Sequence, residues 1–238
     1  MCTLEKRGNI FFLTLTGDDE HRLNPKLIDQ IRSALRQVRA ESTRGTALVT
    51  KGEGRFFSNG FDLAWAQAVG ESSSRQRLGH MVNLFKPLIA DLISLPMPTI
   101  AAVSGHAAAA GLMLALSHDY VLMRRDKGVL YMSELDIGLP FPEYFMTLMR
   151  SKISSPIARR NVVLKAAKVK ADEAVKMGMI DSAHDSAEET VEAAMRLAEQ
   201  LIGRKWDGEI YADIRKASFP ELCEVLGLMD KVKAPSKL

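Results

Sequence analysis

A long stretch without a charged side chain takes in residues 95–118, and it constrains the middle of the chain more than any other feature. Its length alone would suffice to cross a bilayer. Pro96, Pro98, Ser104, Gly105, His106 and Gly111 interrupt it, however, and such residues punctuate local structure. The stretch therefore reads as a buried strand, Thr99-Ile100-Ala101-Ala102-Val103, followed by a buried helix, and no membrane span is expected. A buried strand and helix need cover from the rest of the chain.

The rest of the chain supplies that cover. The β-rich run 10–16 ends at the turn Gly17-Asp18-Asp19. Asn24-Pro25 then opens a helix, with Asn as cap and Pro at the first helical position, and Ile28, Ile31, Leu35 and Val38 give it one apolar face. A short buried strand over 46–50 turns away at 51–54. The polar run 71–75 reads as a loop, and a helix is predicted from about Gln76 with Leu78, Met81, Phe85, Leu88, Ile89 and Leu92 inward. Strands at 120–123 and 129–132 follow, and then helices at 144–152, 156–164, 172–177 and 188–202. The class is α/β with a helical C-terminal portion, divided here into a core at 1–185 and a C-terminal helical region at 186–238.

Composition narrows the function. At 238 residues, with 47% hydrophobic and 26% charged side chains, the chain can bury one sizeable core. The net charge of +3 is spread among acidic residues instead of being gathered in a basic patch, so no nucleic acid is expected as partner. Cys2 and Cys223 cannot build a disulfide framework, and the five histidines form no paired ligand motif, so no metal is expected. The N-terminus lacks a secretory pattern. The chain ends in Ser236-Lys237-Leu238, a receptor-read address for the peroxisome, which implies that location and an import receptor as partner.

Two segments have chemistry to offer. Gly105-His106-Ala107-Ala108-Ala109-Ala110-Gly111-Leu112 sits where a helix begins, and unpaired N–H groups there can hold a developing oxyanion. Tight helix–sheet packing asks for the same small residues. The loop Ser58-Asn59-Gly60-Phe61-Asp62 either aims backbone N–H groups outward or is an ordinary turn.

Taken together, the segments resemble the crotonase (enoyl-CoA hydratase/isomerase) superfamily, most closely its plant peroxisomal Δ3,Δ2-enoyl-CoA isomerases. The resemblance is carried by Phe57-Ser58-Asn59-Gly60-Phe61-Asp62-Leu63, by Pro98-Thr99-Ile100-Ala101-Ala102-Val103-Ser104-Gly105, by Asp119, by Ser133-Glu134-Leu135-Asp136-Ile137-Gly138 and by the stretch 169–181. It implies a spiral of ββα units, a homotrimer or hexamer, and an acyl-CoA substrate with no separate cofactor. It also implies an oxyanion hole from the N–H groups of Phe61 and Ala110, and substrate contacts from Ser58, Asn59, Gly60, Asp62, Leu63 and Gly111. Of the two glutamates that the superfamily's hydratases use, the first falls on Met113 and the second on Glu134. Adding water calls for a pair of groups, whereas a 1,3-proton shift needs one base, so the resemblance implies an isomerase with Glu134 as its single catalytic carboxylate. Met113, Met132, Leu135 and Phe141 are the expected apolar walls around it. Glu143 is the rival base, better suited to a helix start. A hydratase-like enzyme and a silent acyl-CoA-binding subunit are the alternatives.

Overall fold

The computed structural model describes residues 1–229. A six-stranded sheet contains β1 (Cys2–Arg7), β2 (Ile10–Leu15), β3 (Ala47–Gly52), β5 (Thr99–Val103), β7 (Tyr120–Arg124) and β9 (Ser182–His184), in the order β1-β2-β3-β5-β7-β9. The β1–β2 pair is antiparallel and every other pairing is parallel. A second, three-stranded parallel sheet holds β4 (Phe56–Ser58), β6 (His106–Ala108) and β8 (Leu130–Tyr131), in the order β4-β6-β8. Each pass of the chain lays one strand in the large sheet and the next in the small one: β3 then β4, β5 then β6, β7 then β8. Helical segments follow each pass. This is the expected spiral of ββα units.

The helices are α1 (Pro25–Ala40), α2 (Leu63–Gln67), α3 (Glu71–Ile93), α4 (Ala110–Leu116), α5 (Glu134–Ile137), α6 (Glu143–Lys152), α7 (Pro156–Leu164), α8 (Ala171–Lys176), α9 (Ala187–Ile202), α10 (Gly208–Ser218) and α11 (Pro220–Leu226). Asn24 caps α1 as predicted, its side-chain oxygen accepting from the Leu27 N–H. The large sheet is covered on both sides, and the alternation of side chains along each strand sorts its residues between two cores. Ile10, Phe12, Ala47, Val49, Ile100, Ala102 and Leu122 pack against Ala193, Ala194, Ala198 and Leu201 of α9. Phe11, Leu13, Leu48, Ala101, Val103, Val121 and Met123 face the main core with α1, α3, α4 and α6.

Two local expectations change, and one strand is added. The run 71–75 is not a loop: α3 begins at Glu71. The amphipathic inner side identified from Gln76 onward continues a helix whose first turn is simply polar. The segment after Gly105 does not enter a helix at once; it first forms β6, and the helix starts at Ala110. Strand β1, half exposed along its length and too polar to be read as a strand, is held by its pairing with β2.

Candidate active site at the strand ends of the small sheet

Because β4, β6 and β8 are neighbours and parallel, their C-terminal ends lie side by side, about 5 Å apart from strand to strand. Phe61 follows the end of β4, Ala110 the end of β6 and Glu134 the end of β8. Residues far apart in sequence are thereby brought to one edge.

The two backbone N–H groups are aimed by the bonds their neighbours make. The Leu23 N–H donates to the Gly60 carbonyl at 2.8 Å, and the Asp62 N–H donates to the Leu23 carbonyl at 3.3 Å. These two bonds bracket Phe61, so its own N–H points away from Leu23. On that other side lies the start of α4. A Cβ on Gly60 would stand 3.0 Å from the Ala108 carbonyl oxygen and 3.3 Å from the Ala110 nitrogen, which is why the loop has glycine here, at φ +75°. Gly111 is fixed in the same way: a Cβ there would meet the Ser58 carbonyl oxygen at 2.2 Å. Ala110 is the first residue of α4, where an N–H has no intrahelical acceptor.

Ala109 precedes it with φ 50° and ψ −124°, a conformation an alanine rarely adopts. Its N–H donates to the Tyr131 carbonyl at 2.9 Å, so the strained turn ties the end of β6 to the end of β8. Neither the strain nor this tie could be read from a run of four alanines. The Phe61 ring is also anchored, edge-on to Phe85 at 5.4 Å between centroids and stacked on Phe145 at 6.2 Å. That aromatic set joins α3 and α6 behind the loop. Single aromatics at helical spacing gave no hint of it.

Glu134 opens α5 and is 7% exposed. Its Oε2 is buried without a hydrogen-bond partner among the described residues. Burial pushes its carboxyl up to about 7, with the backbone N–H groups of Glu134 and Ser133 pulling weakly the other way. Met113 and Met132 are buried and Phe141 half-buried against the same core, but Leu135 is 56% exposed and turns outward, so it is no wall within one chain. Glu143 is exposed at the first turn of α6.

Other site candidates have structural attachments. Buried Ser58 donates from Oγ to the His21 carbonyl at 2.9 Å. The Asn59 N–H donates to the Glu20 carbonyl. Asp62 caps α2 by accepting from the Trp65 N–H at 2.9 Å, and it takes a bond from the Asn24 side chain at 3.4 Å. Asn59 and Leu63 keep partly exposed surface. His118 is a core histidine, bonded to the Leu114 carbonyl and to Thr50 Oγ1. Among the described residues no three His, Cys, Asp or Glu side chains gather as potential metal ligands. No described helix is long and apolar enough to cross a membrane.

The family model described as enoyl-CoA hydratase/isomerase matches residues 5–213. The chain belongs to this family. Among its relatives in the enoyl-CoA hydratase/isomerase family, peroxisomal enoyl-CoA delta isomerase 2 of Arabidopsis thaliana is 58% identical over the full length of both chains. Peroxisomal enoyl-CoA delta isomerase 1 of the same plant is 55% identical, with 93% of this chain and 91% of that one aligned. Among solved structures, a probable enoyl-CoA hydratase from Mycobacterium tuberculosis superposes with TM-score 0.85 at 23% identity, covering 95% of this chain and 91% of that one. At that identity the likeness speaks for the fold, which is the crotonase fold of the enoyl-CoA hydratase/isomerase family.

Proposed function

We propose that this protein is a Δ3,Δ2-enoyl-CoA isomerase that moves a double bond from C3 to trans-C2 of a fatty acyl-CoA. The observation that carries the reading is Glu134: a buried carboxylate with an unpartnered oxygen, which follows the end of β8 as Phe61 and Ala110 follow the ends of the neighbouring strands β4 and β6. Met113, fully buried, stands where a hydratase of this family would carry a second carboxylate. The full-length likeness to delta isomerases supports the same reaction.

In this mechanism the Glu134 carboxylate removes a proton from C2 of the 3-enoyl thioester. The C–H electron pair passes into a dienolate whose thioester oxygen accepts from the Phe61 and Ala110 N–H groups. The protonated Glu134 then returns the proton to C4, and the double bond comes to rest between C2 and C3. The shift is redox-neutral, so it needs nothing beyond the coenzyme A already on the substrate. Asn59 and Leu63 border the acyl-CoA, while Ser58, Gly60, Asp62 and Gly111 hold the loop and helix start at the required spacing.

The setting that suits this reaction is peroxisomal β-oxidation of unsaturated fatty acids, in line with the peroxisomal relatives. Ser236, Lys237 and Leu238, the expected receptor-read signal, lie outside the described residues. A homotrimer or hexamer is the assembly we propose, to be read by light scattering.

The test is an absorbance assay with a 3-enoyl-CoA. Formation of conjugated 2-enoyl-CoA without 3-hydroxyacyl-CoA supports isomerisation. Glu134→Gln should lose at least about a thousandfold in kcat while still binding CoA, since the base itself is removed. A 3-hydroxy product would favour the hydratase, and binding without turnover the silent subunit.

A further inference from the structure

The small sheet has a second edge. At the N-terminal ends of the strands that lead to the active site, Arg55 precedes β4, His106 opens β6 and Gly128-Val129 precedes β8. A cavity of about 600 Å3 lies there. Its lining includes Arg55, Arg124, Arg125, Lys127 and Lys170, five cations, against one carboxylate, Asp126. Three-residue strands separate this edge from the active-site edge by about 10 Å.

The cations fall into two groups. Arg124 is held by Asp126, through Nε at 2.6 Å and Nη2 at 2.5 Å, and by the Ser104 carbonyl through Nη1 at 3.0 Å. Arg125 is held by Asp172 at 2.9 Å, by Asp185 and by the Ala183 carbonyl. These bonds make the two guanidiniums a fixed frame. Arg55, Lys127 and Lys170 have no ion-pair partner among the described residues. Inside the same cavity wall, His106 leans on the Phe56 ring at 5.0 Å, and its Nδ1 is buried with no hydrogen-bond partner. Like charges packed round a concavity repel one another unless an anion joins them.

We propose that this cavity binds a small polyanion of the phosphate type, a phosphorylated metabolite with two or more negative charges, at a site separate from that of the acyl-CoA. The three unpaired cations supply charge-assisted bonds, the framed arginines fix the shape, and the His106 ring forms part of the wall behind them. The cavity lies in the size range of sites that hold small molecules. The inference stands whichever acyl-CoA reaction the opposite edge performs.

The probe is inorganic pyrophosphate, titrated calorimetrically into the full-length protein saturated with coenzyme A. Coenzyme A occupies the acyl-CoA site, so its own diphosphate position is closed to the probe. We expect saturable binding at one site per chain, weakened about tenfold or more by Arg55→Ala, by Lys127→Ala and by Lys170→Ala, each checked for an unchanged melting temperature. Glu134→Gln should bind pyrophosphate as the wild type does. Burial, Arg55 and Arg124 all hold the free His106 ring below the usual histidine range. Its titration followed by NMR should therefore move upward when pyrophosphate is bound. Absence of saturable binding, binding indifferent to the three alanine variants, or displacement of pyrophosphate by coenzyme A would each overturn the proposal.

Discussion

At the scale of single residues, the proposed base Glu134 carries an expected pH dependence. A base must be ionised to take the C2 proton, and burial places that ionisation at about pH 7. kcat/KM should therefore rise as pH increases through about 7 and level off above it, as a profile of initial rates will show. The same burial has a stability consequence. Folding raises the carboxyl from 4.5 to about 7, so the folded state holds a proton that the unfolded chain releases. The stabilisation is complete below pH 4.5 and lost as pH rises through about 7. Glu134→Gln, which cannot ionise, should be more stable than the wild type at pH 8, by on the order of 2–3 kcal/mol, with the gap closing toward pH 5. A scan of melting temperature against pH for both proteins checks this. The position of Glu134 was legible in the motif around it. Its unpartnered oxygen was not, because burial is decided by packing between elements that are distant in sequence.

At the scale of elements, the turn from β6 into α4 has contrasting neighbours. Ala109 sits at φ 50°, where glycine loses nothing and alanine is strained. Ala109→Gly should stabilise the fold by about 1 kcal/mol. Gly111→Ala should cost about 2–3 kcal/mol and misplace the Ala110 N–H, because the added methyl drives into the Ser58 carbonyl. Chemical denaturation of the pair measures both. Much at this scale was readable: the Asn24-Pro25 start of α1, the buried strand β5 and the inner face of α3 all follow local sequence signals. The departures share a physical cause. The first turn of α3 and the strand β1 are polar segments whose conformation is set by what they join or pair with, and β6 exists only because β4 and β8 flank it. A three-residue strand has too little periodicity to announce itself.

At the scale of the whole molecule, the C-terminal helices are clamped to the spiral by one buried ion pair. Arg215 of α10 meets Asp119 at 2.6 Å through both Nε and Nη2, and it also donates to the carbonyls of Ile93, Leu95 and Met97. Burial works against the Asp119 charge, but the guanidinium outweighs it and holds the carboxyl below its usual range. Arg215→Met would leave that carboxylate and several carbonyls without partners in the interior. It should cost about 3–5 kcal/mol in urea unfolding, far more than loss of an exposed pair such as Arg7 with Glu5. The Asp119 position was visible in the sequence as part of the family pattern. Its partner, almost a hundred positions downstream on a helix that composition alone left undivided, was not.

The order in which the chain leaves the ribosome gives the three-strand arrangement a further meaning. Phe61, Ala110 and Glu134, the residues proposed for the site, belong to three successive passes of the spiral, so a nascent chain shorter than residue 134 would lack the proposed base. Under that assignment, products of translation cut short between those passes would be inert, and turnover in a crude lysate would count only molecules that contain all three.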